Sequence, residues 1–320
     1  MPALAAVAFI LLLGLPLRAA ADVAIYQSIV PMPNGKDAAF ADALRTTAVR
    51  ASGRRDAGSN KVIASAAANP GRYVQEYSTT PDRYLKVGFE AQAIDRLLQQ
   101  AGLPVWPLER PVTLVLLVVP SAGGASRAIV DGDSVPEKAE AERVAQARGL
   151  PIAWPRGTVS AASVRSTVAG GAVGEEGGSS GRPVLAGIAS GGTVSWLFRQ
   201  PGQTATASGP VENGVNLAAD SLAARYAPPS TRSNSSVTVR IGGVADVRAY
   251  AGLIEYLKSL SLVRNISVSE MAGGVVTLEL LVRGDLELLR RIAALDGRLQ
   301  ASAQAPAEEG SVAVDFVVQP

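Results

Sequence analysis

The sequence predicts an α+β protein built from several small units, and three observations carry that reading. The chain has 320 residues with 48% apolar and 18% charged side chains, enough apolar surface for a sizeable core in two or three domains. Short β-type runs alternate with stretches of helical periodicity throughout. Clusters of Pro, Gly, Ser and Asn at 33–35, 69–71, 149–151 and 228–235 break those patterns into groups. The expected domains are 22–110, 111–227 and 236–320, with 1–21 as a signal peptide and 228–235 as a linker.

Residues 3–15 (ALAAVAFILLLGL) are an unbroken apolar run, followed by Pro16, Arg18 and Ala19-Ala20-Ala21. The run is too short to span a bilayer, and small residues at −3 and −1 suit cleavage after Ala21. No Lys or Arg precedes it. The expectation is an exported mature chain beginning at Asp22.

In the first unit, residues 23–32 read as a strand and 36–52 as a helix, with Phe40, Leu44 and Ala48 at helical spacing and Gly53 as its stop. A short helix at 60–68 ends at Asn69-Pro70-Gly71. Strands at 73–79 and 84–89 pair across Thr80-Pro81-Asp82, and a helix at 90–101 follows, stopped by Gly102.

The second unit, α/β-like, opens with the run 112–119, whose continuous apolar character suits a strand buried on both faces. A charged helix at 136–148, a short strand after Pro151 and strands at 183–189, 193–199 and 203–208 follow, closed by a helix at 214–226. The third unit reads strand 236–241, helix 246–260, strands 263–270 and 274–283, helix 285–295 and strand 311–318. That βαββαβ order is the ferredoxin-like arrangement.

Function is first narrowed by absences. The chain contains no Cys and no His. Thiolate and imidazole catalysis, disulfides and Cys- or His-ligated metals are therefore excluded. The net charge of +2 is spread thinly, which argues against a nucleic-acid partner, since that needs a concentrated basic stripe. The Gly-rich 170–181 lacks the Lys and Ser/Thr of a phosphate loop and carries Glu175-Glu176. Ser190 misses the nucleophile-elbow spacing. Asp131 and Asp133 form an acidic turn without the ligand count of a calcium loop, and nothing in the pattern singles out Glu76, Glu90 or Glu109 as a glycosidase pair.

The polar feature that stands out is Arg50, Arg54 and Arg55 at the end of the 36–52 helix. One reading is an anion-docking point, because the guanidinium fork matches carboxylate or phosphate. The other is helix C-capping with pairing to Asp56. Adjacent residues of an extended segment point to opposite sides, so Asp56 can serve only one of Arg54 and Arg55.

Several strings occur together in order: SGRRD at 52–56, RYVQEY at 72–77, GLPVWPLERP at 102–111, ARGLPI at 147–152, LAADSLAARYA at 217–227 and YAGLIEYLKSLSLV at 250–263. As a set they resemble an uncharacterised family of exported proteobacterial proteins, the domain of unknown function 2066. The resemblance implies a Gram-negative periplasmic setting and assigns no catalytic residues. The chain departs from that pattern between about 157 and 195.

The expectation is thus a periplasmic, non-enzymatic binding or scaffold protein of the cell envelope. It uses no cofactor and no metal, and its partner is an envelope protein or an anionic cell-wall or lipid component. The alternatives are a carboxylate-dependent hydrolase of cell-wall glycan and a small-ligand sensor with a cleft between units two and three.

Overall fold

A computed structural model describes residues 24–121, 124–170, 181–229, 234–302 and 315–319. The expected signal peptide lies outside these residues, as do 171–180 of the Gly-rich segment and 230–233 of the linker. The described residues form eight α-helices and three sheets, a mixed α+β protein of several units.

The first sheet has the order β1 (Gln27–Pro31), β3 (Tyr84–Phe89), β2 (Val74–Thr79), antiparallel throughout. Helix α1 (Lys36–Ser52) lays Ala43, Leu44, Ala48 and Ala51 on its inner face. It shares a core with Ile63 of α2 (Lys61–Ala67), with Leu85 and Val87 of β3, and with Ile94 and Leu98 of α3 (Ala91–Gln100). Asn60 caps α2 and Glu90 caps α3, each accepting a backbone N–H two residues on.

The central sheet runs β5 (Ser126–Ala128), β4 (Thr113–Pro120), β7 (Val184–Ser190), β8 (Thr193–Gln200), β9 (Gln203–Gly209), and β6 (Ile152–Ala153) also pairs with β4. Strands β4 and β7 are parallel, while β7, β8 and β9 form an antiparallel meander. The apolar run of β4 is buried on both faces. Val115, Leu117 and Val119 meet α4 (Pro136–Arg148) and α6 (Val211–Tyr226), whereas Leu114, Leu116 and Val118 meet Val164 of α5 (Ala161–Val168). Helix α5 was not expected. Its sequence AASVRSTV is poor in strong helix formers, and the legible signal is the N-cap at Ser160.

Trp196 of β8 explains two glycines. Its cross-strand neighbour is Gly187, and Gly214 of α6 lies over the ring. A Cβ would stand 2.4 Å from the indole at Gly187 and 2.2 Å at Gly214. Ordinarily Ala is favoured over Gly inside a helix by about 1 kcal/mol. Here overpacking reverses the sign. Gly214→Ala is expected to lower the unfolding free energy by roughly 1–3 kcal/mol in urea titration; a gain in stability would mean that the indole shifts freely.

In the third unit, β10 (Asn234–Gly242), α7 (Val247–Ser259), β11 (Val263–Ala272), β12 (Val275–Arg283) and α8 (Leu286–Ala293) keep the expected order. Asp246 and Asp285 cap the two helices through Ala249 N–H at 2.8 Å and Leu288 N–H at 2.9 Å. Of the expected terminal strand, residues 311–314 lie outside the described residues and 316–318 form a strand, and one further strand precedes it. Two short strands, β13 (Leu299–Ala301) and β14 (Phe316–Val318), follow α8, giving the order β11-β12-β10-β14-β13. Strand β14 inserts beside β10 and runs parallel to it, with Ile241 opposite Phe316.

The third unit is also joined to the second. One apolar cluster continues from Trp196, Leu222 and Tyr226 to Leu257, Leu280 and Leu289. Asn234 and Ser235, expected in the linker, are the first residues of β10.

Candidate functional site

The polypeptide leaves α1 through Gly53, which takes a left-handed φ of 71° and donates its N–H to the Val49 carbonyl at 2.9 Å. A side chain is also sterically excluded there. A Cβ on Gly53 would lie 2.5 Å from the Ala223 methyl and 2.8 Å from the Trp106 ring. Helix α6 of the second unit therefore passes directly against the end of α1.

Between these surfaces lies a cleft of about 910 Å³. Ser52 to Asp56 form one wall, Asp220, Ala223, Ala224 and Ala227 another, and Gly102 and Pro104 complete it. Arg54 is extended, and its guanidinium grips both oxygens of Asp56 at 3.0 and 2.8 Å. Arg55 starts a 3₁₀ turn (Arg55–Ser59) and reaches across to Asp220, 2.9 Å away on α6. The second Asp220 oxygen accepts from Arg148 at 2.6 Å. Arg54 and Arg55 keep side-chain exposures of 57% and 62%, whereas Arg148 keeps 4%. The hydrogen bond from Arg54 holds the Asp56 carboxyl below its ordinary range. The charged groups lining the cleft are thus two guanidinium groups and two carboxylates, with the Arg148 guanidinium buried behind Asp220.

Arg50 does not belong to this group. It is buried and donates to the carbonyls of Ala24 and Gln27, so it holds the start of β1 and the segment before it and does not line the cleft. Desolvation lowers its pKa to about 10. Of the three arginines expected to bind an anion, only Arg54 and Arg55 line the cleft. The sequence reading missed Asp220 and Arg148, which come from other segments and carry no motif.

The walls are held together by polar contacts between units. Arg148 donates to the Gly53 carbonyl at 2.7 Å, joining the end of α4 to the end of α1. Arg110 donates to the carbonyls of Pro107 at 3.0 Å, Gly149 at 2.6 Å, Arg50 at 3.0 Å and Trp106 at 3.3 Å, and stacks 3.9 Å from the Trp106 ring. Burial lowers its pKa to about 9. Asp95 of the first unit accepts from Tyr26 at 2.7 Å and, from the third unit, from Arg283 at 2.7 Å and Arg264 at 3.3 Å. Glu109 accepts the Ser261 N–H at 2.7 Å and its hydroxyl at 2.6 Å.

These contacts give several carboxylates structural work. Glu109 locks an inter-unit joint, Glu90 is a helix cap, and Asp133 accepts from Arg127 at 2.7 Å and from Val130 N–H at 2.8 Å. Glu76 stands on exposed β2 beside Gly88. Among the described residues, no group of three Asp or Glu is placed to hold a metal ion, and no helix is long and apolar enough to cross a membrane. Compared with known proteins, residues 19–107 match the family described as Domain of unknown function (DUF8605). The match spans the first unit, including Arg54 and Arg55. No curated protein and no solved structure matches the chain.

Proposed function

We propose that the protein is an exported, non-enzymatic binding protein of the cell envelope that takes an anionic group, carboxylate or phosphate, in the cleft beside Arg54 and Arg55. The observation that carries this reading is the pair of exposed guanidinium forks on one wall of a 910 Å³ cleft, each held by a carboxylate that is itself partly exposed, with the buried Arg148 behind Asp220. Exposed ion pairs are worth only about 0–1 kcal/mol, so a ligand oxyanion exchanges with Asp56 or Asp220 at little cost. The fork then offers it bidentate geometry. Lack of His and Cys and the structural duties of Glu90 and Glu109 support binding without turnover. Export rests on the apolar run 3–15 with Ala19-Ala20-Ala21, and the periplasmic setting on the resemblance to the exported family.

A ligand that binds only the folded state raises its stability, by about 2.7 kcal/mol at one hundred times its Kd. Inorganic phosphate, titrated at constant ionic strength, is expected to raise the Tm saturably. In the Arg54→Ala/Arg55→Ala variant that rise is lost, while the ligand-free Tm stays within a degree or two. An equal rise in both proteins would move the binding site elsewhere.

A further inference from the structure

Strand β11 (Val263–Ala272) is the outer strand of the third sheet, hydrogen-bonded on one side only, to β12, among the described residues. It has ten residues, longer than most edge strands, and carries no Pro or Lys. Val268 is 45% exposed and Met271 55%. Two register irregularities, at Val263/Asn265 and Val268/Glu270, leave Asn265–Val268 as a regular run opposite Leu281–Leu278. An open row of backbone donors and acceptors with apolar side chains along it is a template for another strand.

We infer that β11 pairs antiparallel with β11 of a second copy of this chain, on a two-fold axis through Ser267. Directly opposed residues of antiparallel strands lie on the same face, so the axis passes through a residue and not between two. The segment reads Val263-Arg264-Asn265-Ile266-Ser267-Val268-Ser269-Glu270-Met271. About Ser267, Arg264 opposes Glu270, Ile266 opposes Val268, and Val263 opposes Met271. Charges complement and apolar residues meet apolar residues. An axis one residue earlier sets Arg264 against Val268, and one residue later sets Ile266 against Glu270. Neither alternative matches both charge and hydropathy. Val263, Ile266, Val268 and Met271 all pair with the buried row Val282, Leu280, Leu278 and Val276 of β12, so the apolar pairs would extend one continuous face. Arg264 touches Asp95 at 3.3 Å, but Arg283 is the closer partner of that carboxylate, and the Arg264 side chain stays 32% exposed.

The absence of Cys in the chain makes the register testable. Opposed Cα atoms stand roughly 4.5–5.5 Å apart, within disulfide reach, so Ser267→Cys should cross-link to its own copy when diamide takes up the two thiol protons and electrons. Two copies of Ser269→Cys would lie roughly 13 Å apart along the strands and should stay uncoupled. Light scattering of the unmodified chain should give twice the mass of one chain at tens of micromolar. Val268→Lys or Glu270→Arg should weaken dimerisation at least tenfold while leaving the Tm of the dilute, monomeric chain unchanged, and adding Arg264→Glu to Glu270→Arg should restore it. A monomeric unmodified chain, equal cross-linking at both positions, or a dimer indifferent to Val268→Lys would overturn the pairing. Under the first of these outcomes the edge would remain open to a foreign strand.

Discussion

Arg110→Ala is expected to lower the unfolding free energy by about 3–5 kcal/mol. The side chain serves four backbone carbonyls, and they belong to both the first and the second unit. Truncation strands those acceptors away from water, at about 1–3 kcal/mol for each one left unsatisfied, and removes the stacking on Trp106. An opposing effect is real. Among the described residues the guanidinium has no carboxylate within hydrogen-bond reach, and its lowered pKa reflects the cost of burying it. Relief of that cost offsets part of the loss, which is why the sum of four bonds is not expected in full. Arg110→Lys keeps charge but cannot span the acceptors, so it should recover less than half of the loss in chemical denaturation. A change below about 1 kcal/mol for Arg110→Ala would mean that water reaches the joint.

Asp95→Ala should have a comparable effect by the converse route. Asp95 is buried and neutralises Arg283, itself buried, while accepting the Tyr26 hydroxyl. Removing one partner of a buried pair leaves an uncompensated charge and costs about 3–5 kcal/mol. Replacing both partners with apolar residues is much cheaper, because no charge is then left behind. Asp95→Leu combined with Arg283→Met is therefore expected to regain most of the stability lost by Asp95→Ala. If the double replacement is as damaging as the single one, the joint between units one and three depends on shape and not on charge compensation.

The secondary structure was legible where local chemistry decides it. Helix α1 spans the expected 36–52 because its apolar spacing ends at a glycine whose left-handed φ no other residue adopts cheaply. The continuous apolar run of β4 correctly implied burial on both faces, yet the helix covering the second face went unread. Its Ser- and Thr-rich sequence has low intrinsic propensity, and packing on β4 supplies the stability instead. The three-residue strands β5 and β13 are too short to show a period.

The site was legible in half. Arg54 and Arg55 could be singled out because they follow a helix stop, and the alternation of an extended segment implied that Asp56 would satisfy only one of them. Arg54 takes Asp56. The partner of Arg55 could not be read, since Asp220 arrives from a helix in another unit and owes its place to the fit of Ala223 against Gly53. Arg50 misled for the same reason. Charged residues near a helix end are usually solvated, and nothing local announces that the Ala24 and Gln27 carbonyls fold over this one.

Retention of the purified chain on immobilised Gram-negative envelope extract, measured beside Arg54→Ala/Arg55→Ala across a salt series, tests the binding cleft most directly. Exposed guanidinium contacts to an oxyanion are screened over a Debye length of about 8 Å at physiological ionic strength. The unmodified chain should be held at low salt and released as salt rises, and the variant should bind at least tenfold more weakly at low salt with its Tm preserved. Equal retention of the two proteins at every salt concentration would contradict the assignment of Arg54 and Arg55 as the anion-binding groups.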